Sequence, residues 1–475
     1  MKDLRNRIAH MLWLFAALFA VMGGYLVHVA AFEAEEFIAN PFNARVRLYD
    51  TGVRRGGIYD ADGVVIVESI ARDGAYTRQY PFGPVFAHTA GYSDLGRAGL
   101  ELSRNFTMYR LQWELFQRAR HAIFGDELVA NSIITTFDAP LQEMIFNALG
   151  NSSGAVVVLD PRTGAVLAMV STPSFDPNRI TQEWPGLIAN TDASPLLNRA
   201  SQGLYPPGST FKVITAAAAL QHDPDLLYHV FECTGHAVFG ENVLQCWGGI
   251  AHGTVDMSSA MALSCNGFFA ALAEKIGPRP IIYAAQAAGF NSPIAFELPA
   301  QTPLFPMDTT ATVSELIETS IGQGRTTATP LNMALIAAAI ANGGVAMSPY
   351  MVDSVVGANG GTISTTSPRM AGRLFEPQTA ELLSQMLAQA VTHGTAAPAA
   401  LPNMQVAGKT GTAQNETGID HSWFIGHAPA DNPTMALAII IENTGGGTRA
   451  SQLAGQIFQK LEARVWSSIN KWKYF

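Results

Sequence analysis

The sequence predicts an α/β protein in three parts: one membrane-spanning helix, a small α+β pedestal, and a large domain whose sheet is covered by helices on both faces. Three observations carry this: a charge-free run near the N-terminus, a change of pattern at Asp138, and apolar strand signals at both ends of the region that follows. At 475 residues the chain has room for two or three domains, and 48% hydrophobic against 14% charged is a composition that builds large cores.

Between Arg7 and Glu33 lie 25 residues without Asp, Glu, Lys or Arg. At ~1.5 Å per residue, a helix of that length crosses a hydrocarbon layer of ~30 Å. A cleaved signal peptide is the alternative, and Ala30-Ala31 offers only a poor version of its cleavage site. Lys2, Arg5 and Arg7 outweigh Asp3 before the span, so the positive-inside rule keeps the N-terminus in the cytoplasm and everything after Glu33 outside. The whole chain carries −9, and the exterior part is more negative still. With no Lys/Arg cluster, that balance argues against nucleic acid as a partner.

After a connector at 33–43, residues 54–67 read as strand, Asp-Gly turn, strand, and 109–123 look helical. No cluster of catalytic residue types falls in this stretch. From Asp138 onward, Leu141, Met144, Ile145, Ala148 and Leu149 recur at helical spacing. Residues 155–159 and 165–170, joined by a turn, form an apolar hairpin of the kind that is covered on both faces. Residues 423–428 and 435–441 read as two more strands, and a last helix carries Leu453, Ile457, Phe458 and Leu461 on one side. The expected division is therefore 1–36 for tail and anchor, 37–137 for the pedestal and 138–475 for the large domain.

Inside that domain, Pro206-Pro207-Gly208 forbids helix before Ser209, and the Ala-rich run after it favours helix, so a helix begins near the serine. Lys212 lies three residues on, within reach of the Ser209 hydroxyl, and an apolar setting would lower its pKa enough to make it a base. A helix cap with a snorkelling lysine is the plainer reading of this tetrapeptide alone. Two further stretches weigh against it: Ser264-Cys265-Asn266, and Lys409-Thr410-Gly411-Thr412 after the expected strand 405–408.

The order serine-lysine, serine-asparagine, lysine-threonine-glycine resembles the penicillin-binding proteins and serine β-lactamases. Nearly the whole chain resembles the class B penicillin-binding proteins, monofunctional peptidoglycan D,D-transpeptidases. Residues 55–63, Gly99-Leu100-Glu101, 154–178, Asn198-Arg199-Ala200, 206–212, 320–324, Thr329-Pro330 and 423–426 look like that family's recurrent stretches. The resemblance implies a transpeptidase domain with an antiparallel sheet. It also implies Ser209 as nucleophile, Lys212 as its base, Lys409 as a second cation, Ser264 as proton carrier to the departing D-alanine, and Asn266 as a holder of the donor peptide. The oxyanion hole would be the N–H groups of Ser209 and Thr412. Thr410 and Thr412 with Lys409 would hold the substrate carboxylate, while Gly411 would let substrate backbone lie against the strand edge. Implied partners are peptidoglycan stem peptides, β-lactams as covalent inhibitors, and a membrane glycosyltransferase of the SEDS type.

Two rivals remain open at this point. A β-lactamase needs a water-activating glutamate, and Glu297-Leu298-Pro299 lies in the right region but lacks that loop's pattern. A penicillin-binding sensor or idle scaffold would use the same domain only to bind. No cofactor is expected, and without a Cys-x-x-Cys or His-Glu-x-x-His run no dedicated zinc site is expected either. Cys233 and Cys246 are close enough in sequence to staple a loop with Cys265 left over; three unpaired buried thiols are the alternative.

Overall fold

The computed structural model describes residues 2–29, 53–72, 75–109 and 114–471. The connector at 33–43 and the boundary at 36/37 lie outside them. A single helix, Lys2–His28, holds the charge-free run as far as it is described. From Arg5 onward it is long and apolar enough to cross a membrane, and none of this stretch is buried against the rest of the chain.

The pedestal is built on β1 (Ile58–Tyr59), β2 (Val65–Arg72), β3 (Ala75–Gln79) and β4 (Ser132–Thr135). Between β1 and β2, the Asp60 carboxylate accepts from the N–H groups of Asp62 and Val64 at 2.9 and 2.7 Å, which closes the turn the Asp-Gly pair signals. Two strands from far along the chain, β12 (Val352–Val356) and β13 (Thr362–Thr365), complete a six-stranded sheet in the order β13-β12-β4-β1-β2-β3. The pedestal is thus stitched to the large domain through hydrogen-bonded backbone.

A buried charge cluster fixes the pedestal's interior. Arg55 donates to the Glu101 carboxylate at 2.8 Å and to Asn105 Oδ1 at 2.5 Å, and Arg78 reaches the other Glu101 oxygen at 2.8 Å. The Arg55 guanidinium also lies 4.4 Å from the centroid of the Tyr109 ring. Burial alone would push the Glu101 carboxyl up, but the two guanidiniums hold it below the ordinary carboxylate range. Removing one member leaves uncompensated buried charge, so Glu101→Ala is expected to cost ~3–5 kcal/mol in denaturant unfolding. Because the folded-state pKa is depressed, this stabilisation is present above the unfolded carboxylate's pKa and is lost as pH falls through the folded one.

The large domain is organised on a five-stranded antiparallel sheet, β15-β16-β17-β5-β6. Its strands are β5 (Gly154–Leu159), β6 (Val166–Thr172), β15 (Ala407–Ala413), β16 (His421–Ala428) and β17 (Met435–Ile441). Alternation sorts the apolar side chains into two cores. Ala155, Val157, Ile425, Ala438 and Ile440 face the helices Lys212–His222 and Pro330–Ala341, while Val156, Val158, Phe424, Leu437 and Ile439 face Ala139–Leu149 and the start of Thr448–Lys471. Leu453, Ile457 and Phe458 are buried on that second side, as the sequence predicts.

One expectation needs correction. The strand placed at 405–408, before the lysine motif, begins at Ala407 and runs through Lys409, Thr410, Gly411 and Thr412. Two ribbons lie between the serine helix and the next helices: β7 (Phe231–Cys233) with β10 (Gly253–Val255), and the hairpin β8 (His236–Phe239) with β9 (Asn242–Gln245). A further pair, β11 (Val345–Met347) and β14 (Met370–Arg373), flanks the helix Pro330–Ala341.

Candidate active site

Ser209 sits in a short 3-10 turn, Gly208–Phe211, that runs directly into the helix Lys212–His222. Gly208 turns the chain at φ +54°, a conformation that favours glycine, and its N–H donates to the Gly322 carbonyl at 2.9 Å. Ser209 is partly exposed, whereas Lys212, one turn on, is fully buried.

The Lys212 amine is held by a cage of acceptors. It donates to the Ser264 carbonyl at 2.8 Å, the Ser264 hydroxyl at 3.2 Å and Asn266 Oδ1 at 2.7 Å, and lies 5.6 Å from the Phe269 ring centroid. Burial drives its pKa from the ordinary lysine value down to about 7, where a neutral amine able to accept a proton is well populated. The cage exists because two helices break at this point. Ser264 ends the helix Met257–Leu263 in the left-handed conformation, φ 58°, and Cys265 caps the helix Asn266–Ile276. The Asn266 amide is oriented from its other side, where Nδ2 donates to the Gln245 carbonyl at 2.8 Å.

Strand β15 brings the third motif to this place at the edge of the sheet. Alternation puts Lys409 and Gly411 on one face and Thr410 and Thr412 on the other. Lys409 is fully buried and donates to the Thr410 carbonyl at 3.0 Å; burial first, and then the Lys212 charge, hold its pKa well below the usual lysine value. Thr410 shares a hydrogen bond of 2.8 Å with Thr395, and the Thr412 carbonyl accepts from Gln323 at 3.3 Å. At Gly411 a Cβ would stand 2.8 Å from Trp423 Cβ and 2.9 Å from Thr210 Cγ2. Its bareness therefore lets the strand approach the serine turn.

The glycines at 322–324 form a turn against the site. Gly322 has φ +75°, and a Cβ there would stand 2.1 Å from the Gly208 carbonyl oxygen. Backbone cannot yield at that distance without moving Ser209, so Gly322→Ala is expected to slow acylation by ~10²-fold with little change in far-UV circular dichroism, as stopped-flow penicillin binding would read. Thr395 and Gln245 were not legible in the sequence, because each acts through one hydrogen bond from a loop or strand end that carries no motif. Glu297 has a structural task. Its carboxylate accepts from the backbone N–H groups of Met351 and Val352 at 3.1 and 3.2 Å and lies 3.5 Å from Arg104, so it ties β12 to the pedestal.

Residues 154–462 match the penicillin binding protein transpeptidase domain. The chain belongs to that family. Within it, residues 55–133 match the penicillin binding protein A dimerisation domain, which covers the pedestal strands β1 to β3 and reaches β4. The chain is 36% identical over 457 residues to the peptidoglycan D,D-transpeptidase PbpA of Mycolicibacterium smegmatis, covering 90% of this chain and 91% of that one. Among solved structures it resembles penicillin-binding protein A of M. tuberculosis in an imipenem acyl-enzyme complex, with TM-score 0.81, 32% identity and coverage of 87% and 99%. A D,D-transpeptidase domain from Eggerthella lenta matches with TM-score 0.79, 33% identity and coverage of 87% and 99%. This penicillin-binding protein is a serine D,D-transpeptidase of class B.

Proposed function

We propose that this penicillin-binding protein cross-links peptidoglycan stem peptides through an acyl-enzyme on Ser209. The observation that carries the residue roles is the Lys212 amine, buried, shifted to about 7 and caged by Ser264 and Asn266 one helical turn from Ser209. Neutral Lys212 takes the Ser209 proton as Oγ bonds to the carbonyl carbon of the penultimate D-alanine. The N–H groups of Ser209 and Thr412 receive the oxyanion, each worth ~3 to 4 kcal/mol in the transition state. The C–N bond to the terminal D-alanine then breaks, and the proton returns from Lys212 through the Ser264 hydroxyl to the leaving amine. An amine of a neighbouring strand attacks the ester and loses its proton to Lys212, which hands it to the Ser209 oxygen as the ester bond breaks. Lys409, Thr410 and Thr412 hold the terminal carboxylate, and Asn266 holds the donor peptide.

β-Lactams enter the same path and stop at the ester, as in the imipenem and penicillin G acyl-enzyme complexes of penicillin-binding protein A from M. tuberculosis. The helix Lys2–His28 anchors the protein with its N-terminus inside and the catalytic domain outside the membrane. The segments 1–36, 37–137 and 138–475 serve as anchor, pedestal and transpeptidase, and a SEDS-type glycosyltransferase is the membrane partner. A synthetic donor ending in D-Ala-D-Ala, offered with and without a D-amino acid acceptor, tests the reaction. Acceptor-dependent exchange product supports transfer; release of D-alanine that ignores acceptor would reduce the activity to carboxypeptidase, and no release would leave a binding protein.

A further inference from the structure

Beside the site, four segments that no motif joins bring three thiols and an imidazole together. Cys233 ends β7, Cys246 follows β9, His252 precedes β10, and Cys265 lies between Ser264 and Asn266. Their ligand atoms all lie within 4.8 Å of one another. Cys233 and Cys246 sulfurs are 3.6 Å apart, Cys246 and Cys265 sulfurs 3.8 Å, and Cys233 Sγ is 3.4 Å from His252 Nδ1.

We propose that Cys233, Cys246, His252 and Cys265 bind one zinc ion that braces the loop carrying Ser264 and Asn266.

The spacing is what a tetrahedral ion requires. Zinc bonds of ~2.3 Å to sulfur and ~2.0 Å to nitrogen place two sulfurs ~3.8 Å apart and a sulfur and a nitrogen ~3.5 Å apart. The donor set is three soft thiolates and one imidazole, which selects zinc over magnesium or calcium. A disulfide uses the cluster less well. Cys246 stands almost evenly between Cys233 and Cys265, so any pairing strands the third buried thiol beside His252, whereas one ion engages all four. Cys265 Sγ already accepts from the Phe268 N–H at 3.5 Å at a helix start, the kind of outer hydrogen bond that supports a bound thiolate. The sequence criterion of a Cys-x-x-Cys pair misses this site because its ligands are spread over four elements.

The ion's consequence for the reaction is mechanical. Cys265 is flanked by the two residues that cage Lys212, and Cys246 adjoins Gln245, whose carbonyl orients Asn266. Zinc ties the β9 end to the 264–266 loop, so it positions the Lys212 cage without touching substrate. On binding, each thiol releases its proton to solvent.

The test uses the full chain purified in detergent without chelator after growth with added zinc, with metal content read by plasma mass spectrometry and native mass. About one zinc per chain is expected, lost in Cys246→Ser and His252→Ala and kept in Ser209→Ala. Cobalt exchanged into the wild-type protein should give sulfur-to-cobalt charge-transfer bands and the visible bands of a tetrahedral ion, a readout independent of activity and of whether the variants fold. Chelation that leaves circular dichroism intact should slow the acylation step at least ~10-fold, leave initial penicillin binding nearly unchanged, and be reversed by zinc but not magnesium. A wild-type chain free of metal would overturn the site, whether its cysteines label as three thiols or its intact mass shows a disulfide. Equal acylation rates with and without zinc would overturn the bracing role.

Discussion

Ser209→Ala is expected to lower D-alanine release and transfer by ~10⁴-fold or more while leaving non-covalent donor binding within a few-fold of wild type. In the proposed reaction the hydroxyl oxygen forms the ester, and the neighbouring Ser264 hydroxyl does not replace it, being bonded to the Lys212 amine on a different helix end. Binding survives because Thr410, Thr412 and Lys409 are carried by β15, whose register with β16 does not depend on Ser209. Isothermal titration with the donor peptide, set beside D-alanine release, separates the two terms. Loss of binding together with turnover would mean that the substitution had disturbed the 208–211 turn itself.

Lys212→Ala should cost ~10³-fold in acylation, the range in which a positioned base contributes. Lys212→Arg should not rescue it, because a guanidinium stays protonated and so cannot take the serine proton. The amine must be neutral to act, and its pKa is about 7. The acylation rate should therefore rise ~10-fold per pH unit below that value and level off above it. Burial first, and then the Lys212 charge, hold the neighbouring Lys409 amine well below the ordinary lysine value. Stopped-flow acylation by a chromogenic cephalosporin across pH reads both the variants and the profile. A flat profile between pH 5 and 8, a range on the order of that over which ordinary lysines stay charged, would assign the base elsewhere.

The legible parts of this molecule are those whose cause is local. The charge-free helix, the apolar runs of β5, β6, β16 and β17, and the proline-glycine start of the serine helix each announce themselves within one unbroken stretch of chain. The three motif stretches could be associated only by resemblance to a family, since nothing in periodicity says that Lys212, Ser264 and Lys409 meet. What sequence reasoning could not see is pairing over distance. Strand β12 joins β4 across more than two hundred residues, and β13 is wholly exposed, so neither carries a pattern that points to the pedestal. At Gly411 the sequence announces a need for bare backbone but not which side chains crowd it. In the fold its missing side chain is filled by Trp423 and Thr210. The Cys233, Cys246, His252 and Cys265 group escaped for the same reason, because its spacing matches no short motif and only the ribbons and the helix break bring it together.

The central claim is that Ser209 carries the acyl group. Full-length protein in detergent, incubated with penicillin G and then digested with trypsin, tests it most directly by peptide mass mapping. Cleavage after Arg199 and Lys212 puts Ser209 in the peptide 200–212. One intact drug per chain on Ser209, persisting for many minutes, is the expected result. An adduct on Ser264 or elsewhere, or rapid consumption of drug with no lasting adduct, would contradict it.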